Sequence, residues 1–403
     1  MNVVEERSRS LVATELTLAR LRAVEGPRLY RDNAFRVVGL PTQADRRTVR
    51  QRQRLVLPAV EAGADVDLGH SLPVGLDELR TAFDRLLNSP HARLVDEIFW
   101  LWGNARDDCG CPPSVHQDHD RAVRAHSAVL DLEAKDSALT DGELDRAEKL
   151  WAEAGRQWWL VLRQDAFWQH VCTRIVTLDE PQLGVSVVDA LRARVPLSLL
   201  RPLIDLAVTS SEEQSWLADR ARSWPTVPRQ VVDDLLEEAV AGWFDAVRET
   251  IRTVVPKIES RQLDAAARIV YDEVMPQLRR LEAVVPQAAC RRTASVYNEA
   301  AVALSNCATQ IVESFGFGGI GNAVKWYGTA RELATDPSTV EAVDRNTAMI
   351  KQLASLRTAP HRTTYAPRRR QSVQHLRSWV ALVFWLLFIF GSGALLVIAM
   401  VSR

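Results

Sequence analysis

This 403-residue sequence predicts an all-α protein, and three observations carry the prediction. Apolar residues recur at three- and four-residue intervals in nearly every long segment, the spacing that lines one helix face. No region alternates apolar and polar residues over several strand-length stretches, and Gly and Pro cluster between the periodic segments as punctuation. Hydrophobic residues at 47% and charged residues at 25% are ordinary for folded chains and exclude general disorder and fibrous classes. The length is enough for about two or three domains with substantial cores.

Residues 1–27 read as an N-terminal helical segment; they carry acidic residues and no continuous apolar stretch, so no secretory signal is expected. A module over 28–103 follows. After "NAFRVVGLP", Asp45 offers an N-cap oxygen to "RRTVRQRQRLVLPAV", whose Val49, Leu55, Val56 and Val60 are expected on the buried side. Arg46, Arg47, Arg50, Arg52 and Arg54 make the rest of that helix basic. A Gly-, Asp- and Pro-rich loop runs from Gly63 to Gly75. "LDELRTAFDRLLNSPHARLVDEIFWLWG" then places Leu79, Phe83, Leu86 and Leu87 on one stripe, so two helices with facing stripes form an antiparallel hairpin.

"NAFRVVGLP", the basic helix, the loop and "AFDRLLNSPHARLVDE" together resemble a DnaJ-type J domain. Ala82, Phe83, Leu86, Leu87, Ser89, Pro90 and Arg93 fall in order on that family's third-helix pattern. The resemblance spans about 75 residues and implies a basic helix that meets the acidic surface of a DnaK-type chaperone, here through Arg46, Arg47, Arg50 and Arg54. It departs where the family carries His-Pro-Asp. Val60, Glu61 and Ala62 stand there, and neither a valine nor an alanine can replace the imidazole and carboxylate. Stimulation of ATP hydrolysis is therefore not expected, which leaves docking without stimulation or a solvated basic helix that only supports the fold.

Residues 104–119 read as a loop. "CGCPPSVHQDH" in it gathers Cys109, Cys111, His116 and His119, residue types that suit Zn²⁺, but the spacing is unlike the usual zinc patterns, and an exposed interhelical loop with no assigned metal is the expectation. The five cysteines are odd in number and scattered, unlike a disulfide framework.

A helical domain is expected over 120–260. Leu144, Ala147, Trp151, Ala154 and Trp158 share one face, with the tryptophans as core anchors. Farther on, positions 231, 235, 239 and 243 form another apolar stripe. Residues 261–356 read as successive helix pairs with small residues at contacts, and "NAVKWYGTARELATDP" resembles the second helix of a tetratricopeptide hairpin, although no 34-residue period is sustained. This is a helical-repeat-like body of the kind that forms binding surfaces. "FGFGGIGN" has the spacing Gly-x-Gly-x-x-Gly but follows a helical pattern rather than a strand, so it reads as a turn, not a dinucleotide site.

Residues 357–378 form a basic linker ahead of 379–401, "WVALVFWLLFIFGSGALLVIAMV", 23 residues without a charge. As a helix this spans about 35 Å, enough for the ~30 Å hydrocarbon layer, and predicts a single C-terminal transmembrane helix. Arg368, Arg369, Arg370, Arg377 and Trp379 flank its N-terminal end, and only Arg403 follows it, which places the body on the cytosolic side as a tail-anchored protein. After Asp344 nine basic and no acidic residues remain, so an acidic body joins a basic, lipid-facing tail. A net-acidic body argues against nucleic-acid binding.

No Gly-x-Ser-x-Gly, His-Glu-x-x-His or Gly-x-x-x-x-Gly-Lys-Ser/Thr occurs. No catalytic residue and no cofactor is assigned. The expected role is protein interaction or chaperone adaptation at the bilayer, with a DnaK-type chaperone the partner that the resemblance implies and the homo-oligomeric state left open. The alternatives are a membrane-anchored enzyme or metal-dependent factor using the Cys/His loop, and a structural component of an envelope assembly.

Overall fold

The computed structural model describes residues 3–104, 109–135, 138–180, 182–209 and 216–358. The protein is all-α: every regular element among the described residues is helical. No helix among them is long and apolar enough to cross a membrane. The apolar segment 379–401 and its flanking Arg368, Arg369, Arg370, Arg377 and Trp379 lie outside the described residues.

Two compact units form, one from Met1–Gly242 with Arg280–Pro286, the other from Trp243–Arg279 with the described residues from Gln287 onward. The first begins with α1 (Val3–Val24), α2 (Ala34–Val38), α3 (Arg46–Glu61), α4 (Leu76–Asn88) and α5 (Pro90–Ile98). Asn33 caps α2 by accepting from the amides of Phe35 and Arg36, and Gly39 ends it at φ +66°. A Cβ at Gly39 would lie 2.3 Å from the Leu68 carbonyl oxygen, so the residue is required both by its backbone angle and by the close approach of the loop. Asp45 caps α3 as expected, its carboxylate accepting from the Thr48 amide at 2.7 Å.

Around Phe35, Val38, Val49, Val56, Leu79, Phe83 and Leu86 the hairpin closes a core of its own. Leu55, expected inside, is 64% exposed. Val49 and Val56 stand seven residues apart on one face, and the ~100° step from Val56 turns Leu55 away from it. The helix expected to continue through "LLNSPHARL" is two: Pro90 lacks the amide that would extend α4, so α4 stops at Asn88 and Pro90 starts α5. Every residue of α5 is buried, including His91, Arg93, Asp96 and Glu97.

Those buried polar groups have partners. Glu97 accepts from Arg93 Nε at 3.1 Å and from Arg174 Nε at 2.9 Å, and Arg93 Nη2 donates to the Ala44 carbonyl at 2.6 Å. Arg85 pairs with Asp96, and Thr17 of α1 hydrogen-bonds His91 Nδ1 at 2.9 Å. A short polar helix is thereby tied to α1, α4 and the residues around it, although His91 Nε2 and Asp96 Oδ2 are buried without a hydrogen-bond partner among the described residues.

The unit continues with α6 (Pro113–Glu133), α7 (Asp141–Leu162), α8 (Asp165–Leu178), α9 (Val187–Thr209), α10 (Trp216–Arg222) and α11 (Arg229–Ala239). Trp151 and Trp158 on α7 are fully buried, as their spacing predicts, while Trp159 turns outward under Arg163. Gly155 lets Trp224 lie against α7, since a Cβ there would sit 3.1 Å from its ring. The stripe expected at 231, 235 and 239 is displaced by one position: Val232, Leu236 and Val240 are the buried residues. Both sets are apolar at four-residue spacing, so the sequence pattern alone cannot choose between adjacent faces.

In the second unit, α12 (Ala241–Glu259) and α13 (Leu263–Ile269) precede a π turn at Val270–Val274 and the first residues of α14 (Met275–Val284), whose remainder from Arg280 belongs to the first unit. Then α15 (Arg291–Phe315), α16 (Ile320–Leu333) and α17 (Pro337–Thr358) pack as consecutive hairpins. Ala300, Ala301, Cys307 and Ala308 on α15, with Ala323 and Ala330 on α16, supply buried small contacts around Leu304. Gly316–Gly318 is a single 3₁₀ turn between two helices, as read from the glycine spacing.

Candidate functional site

Trp102, just beyond α5, organises the most chemically distinctive part of the first unit. Its indole nitrogen donates to the Glu97 carbonyl at 2.7 Å, and Asp120 of α6 accepts from the amides of Trp102 at 2.7 Å and Gly103 at 3.1 Å. The indole stacks between two imidazoles, His119 at a centroid distance of 3.8 Å and His170 at 3.9 Å. One tryptophan therefore fixes a histidine of α6 and a histidine of α8 on its two faces.

Beside this stack Cys109, Cys111, His116 and His170 converge, with one donor atom from each and all four atoms within 4.8 Å of one another. Cys111 Sγ lies 3.1 Å from His116 Nε2 and 3.4 Å from His170 Nδ1; Cys109 Sγ lies 3.0 Å from Cys111 Sγ and 3.6 Å from His116 Nε2. Local structure explains the placement. Gly110, at φ +63°, turns the chain between the cysteines, and Pro113 opens α6 so that His116 sits on its first turn. His116 Nδ1–H donates to the Gly103 carbonyl at 3.0 Å, which leaves Nε2 with its lone pair toward the thiols.

The sequence grouped His119 with these residues, and the structure removes it. His119 Nε2–H donates to the Ile98 carbonyl at 2.9 Å, and the ring is spent on Trp102. His170, 59 residues from Cys111, takes the fourth place. No local spacing announces it, because α8 and the Cys/His loop meet only through the fold.

Burial holds His170 neutral, lowering its pKa to about 3, and also lowers that of His116. Burial and the adjoining Cys109 thiol push Cys111 up to about 12. Cys109, His116 and His170 line a cleft of about 600 Å³ whose other walls include Asp45, the cap of α3, and Arg46 and Thr48 in its first turn. The cluster is thus half-buried yet reachable by small solutes.

The arginines expected to meet a partner divide. Arg46 is engaged, pairing with Glu180 at 2.8 Å and donating to the Leu87 carbonyl at 3.1 Å. Arg47, Arg50 and Arg54 are exposed, form no ion pair among the described residues, and stand at i, i+3 and i+7 beside exposed Leu55. At the end of α3, Val60 packs on the hairpin core and Glu61 pairs with Arg80 at 2.6 Å. Comparisons with protein-family models, curated proteins and solved structures find no match.

Proposed function

We propose that the chain is a non-enzymatic docking protein, held by its C-terminal apolar segment at the cytosolic face of a membrane, that offers the basic face of α3 to an acidic surface on a protein partner. The observation that carries this reading is the exposed stripe Arg47, Arg50 and Arg54, which forms no ion pair among the described residues. Three exposed guanidiniums that form no ion pair among the described residues, next to exposed Leu55, suit an electrostatically steered contact with an apolar centre. The J-like order of motifs makes a DnaK-type chaperone the partner class. Glu61, paired with Arg80 at 2.6 Å where the family uses its ATPase-stimulating tripeptide, favours docking without stimulation.

The test is binding of the full-length protein in nanodiscs to a purified DnaK-type chaperone across a salt series, with ATPase rates measured alongside. Binding that weakens as salt rises, with an unchanged ATPase rate, is expected. Absence of binding at low salt sinks the reading.

A metal-dependent catalyst is the second reading, favoured by the cleft beside the Cys/His cluster. Four protein donors weigh against it, since catalytic zinc sites keep a position open for water or substrate.

A further inference from the structure

We propose that Cys109, Cys111, His116 and His170 bind one Zn²⁺ ion that staples the loop ahead of α6 to α8. This site goes beyond the docking role and is independent of it. Two thiolates and two imidazoles are the borderline-soft donor set that selects Zn²⁺ over oxygen-seeking Mg²⁺ or Ca²⁺. Zn–S bonds of ~2.3 Å and Zn–N bonds of ~2.0 Å in a tetrahedron set donor separations of about 3.3–3.8 Å. The four contacts between donor atoms here span 3.0 Å for the two sulfurs to 3.6 Å for Cys109 and His116. The two sulfurs must part by about 0.8 Å, and the remaining pairs, all within 4.8 Å, must draw in toward the same range, an adjustment that the short Cys109–Cys111 turn can supply on binding the ion.

The surroundings argue for a built site rather than a chance cluster. Metal-bound histidines are oriented by a hydrogen bond from the other ring nitrogen. His116 has one, from Nδ1 to the Gly103 carbonyl at 3.0 Å, and Asp120 holds that same Gly103 by its amide at 3.1 Å. His170 is held instead by its stack on Trp102 at 3.9 Å. Two donors precede α6, one lies in its first turn, and one comes from α8, so the ion closes a chain loop of 59 residues between Cys111 and His170. Binding releases one proton from each thiol, and four protein ligands complete the shell, which makes the role structural.

The experiment is elemental analysis of full-length protein purified with zinc in the medium, followed by X-ray absorption at the zinc edge and cobalt substitution. The expected result is about one zinc per chain, a shell of two sulfurs and two nitrogens, and a tetrahedral cobalt spectrum with thiolate charge transfer. C109S/C111S should lose the metal, whereas C172S, which alters a half-buried cysteine two residues from His170 but outside the cluster, should keep it. Wild-type protein that carries no zinc and gives no cobalt spectrum overturns the proposal. So does a shell without sulfur, or zinc retained in C109S/C111S. Because the decisive readings come from wild-type protein, a variant that fails to fold leaves the test intact.

Discussion

Cys111 Sγ and His170 Nδ1 lie 3.4 Å apart, a separation that joins α8 to the loop ahead of α6 through candidate ligands distant in sequence. If an ion spans them, removing it must loosen that junction. A ligand that binds the folded state at 100 times its Kd contributes about 2.7 kcal/mol, so a strong chelator should lower the melting temperature by several degrees, and added Zn²⁺ should restore it. The cleft beside Cys109 gives the chelator access. Calorimetry with and without chelator reads this directly, and superimposable melting curves contradict it.

A second junction should be sensitive to acid. Tyr30 and His126 share a hydrogen bond of 3.0 Å, and around it stand Trp151 and Trp224, leaving His126 in an uncharged setting. Burial lowers its pKa to about 3. Unfolding returns it to the ordinary value of about 6.5, so between those limits the unfolded state takes up a proton that the folded state refuses. Stability is therefore fully present above about pH 6.5 and declines by up to about 1.4 kcal/mol per pH unit toward pH 3 from this one group. In urea titrations at several pH values, H126Q should show a shallower decline than the wild type over pH 4–6. Equal slopes would discard His126 as a source.

What could be read from sequence follows from the range over which each signal acts. The all-α class, the Asp45 cap and the burial of Trp151 and Trp158 depend on neighbours within a turn or two, and they were legible. The exact buried face was less so. Val231 and Leu235 were as plausible as Val232 and Leu236 until the packing partners were known, and Leu55 looked like Val56 until its neighbour claimed the core. The Cys/His run named three of the four clustered residues and one wrong one, because His119 is close in sequence and His170 is brought in only by the stack on Trp102. Arg46 could not be told from Arg47 either, since its partner Glu180 lies far along the chain.

The hairpin should be unusually intolerant at one glycine. Gly39 and Gly63 both have positive φ, +66° and +74°, but only Gly39 faces an obstacle, the Leu68 carbonyl at 2.3 Å from an added Cβ. G63A should cost about 1 kcal/mol, the left-handed penalty alone. G39A adds a clash with backbone that cannot rotate away, so a loss of at least about 2 kcal/mol is expected. Chemical denaturation of both variants gives the comparison, and equal losses would mean that the loop around Leu68 moves aside freely.

Docking and folding should separate cleanly on α3. Arg47, Arg50 and Arg54 are exposed and form no ion pair among the described residues, so R47E/R50E/R54E should change folding stability by no more than about 0.5 kcal/mol. The same change reverses the sign of the face offered to an acidic partner. Affinity should fall at least tenfold, about 1.4 kcal/mol, mostly through slower association at low salt. Arg46 predicts the opposite pattern. R46A removes the pair with Glu180 and the bond to the Leu87 carbonyl, so stability should drop by about 0.5–1 kcal/mol while affinity holds. Kinetic binding measurements and denaturation curves on the two variants decide the matter. If the triple reversal leaves affinity intact, the basic face is a solvated surface and the contact must be sought elsewhere on the chain.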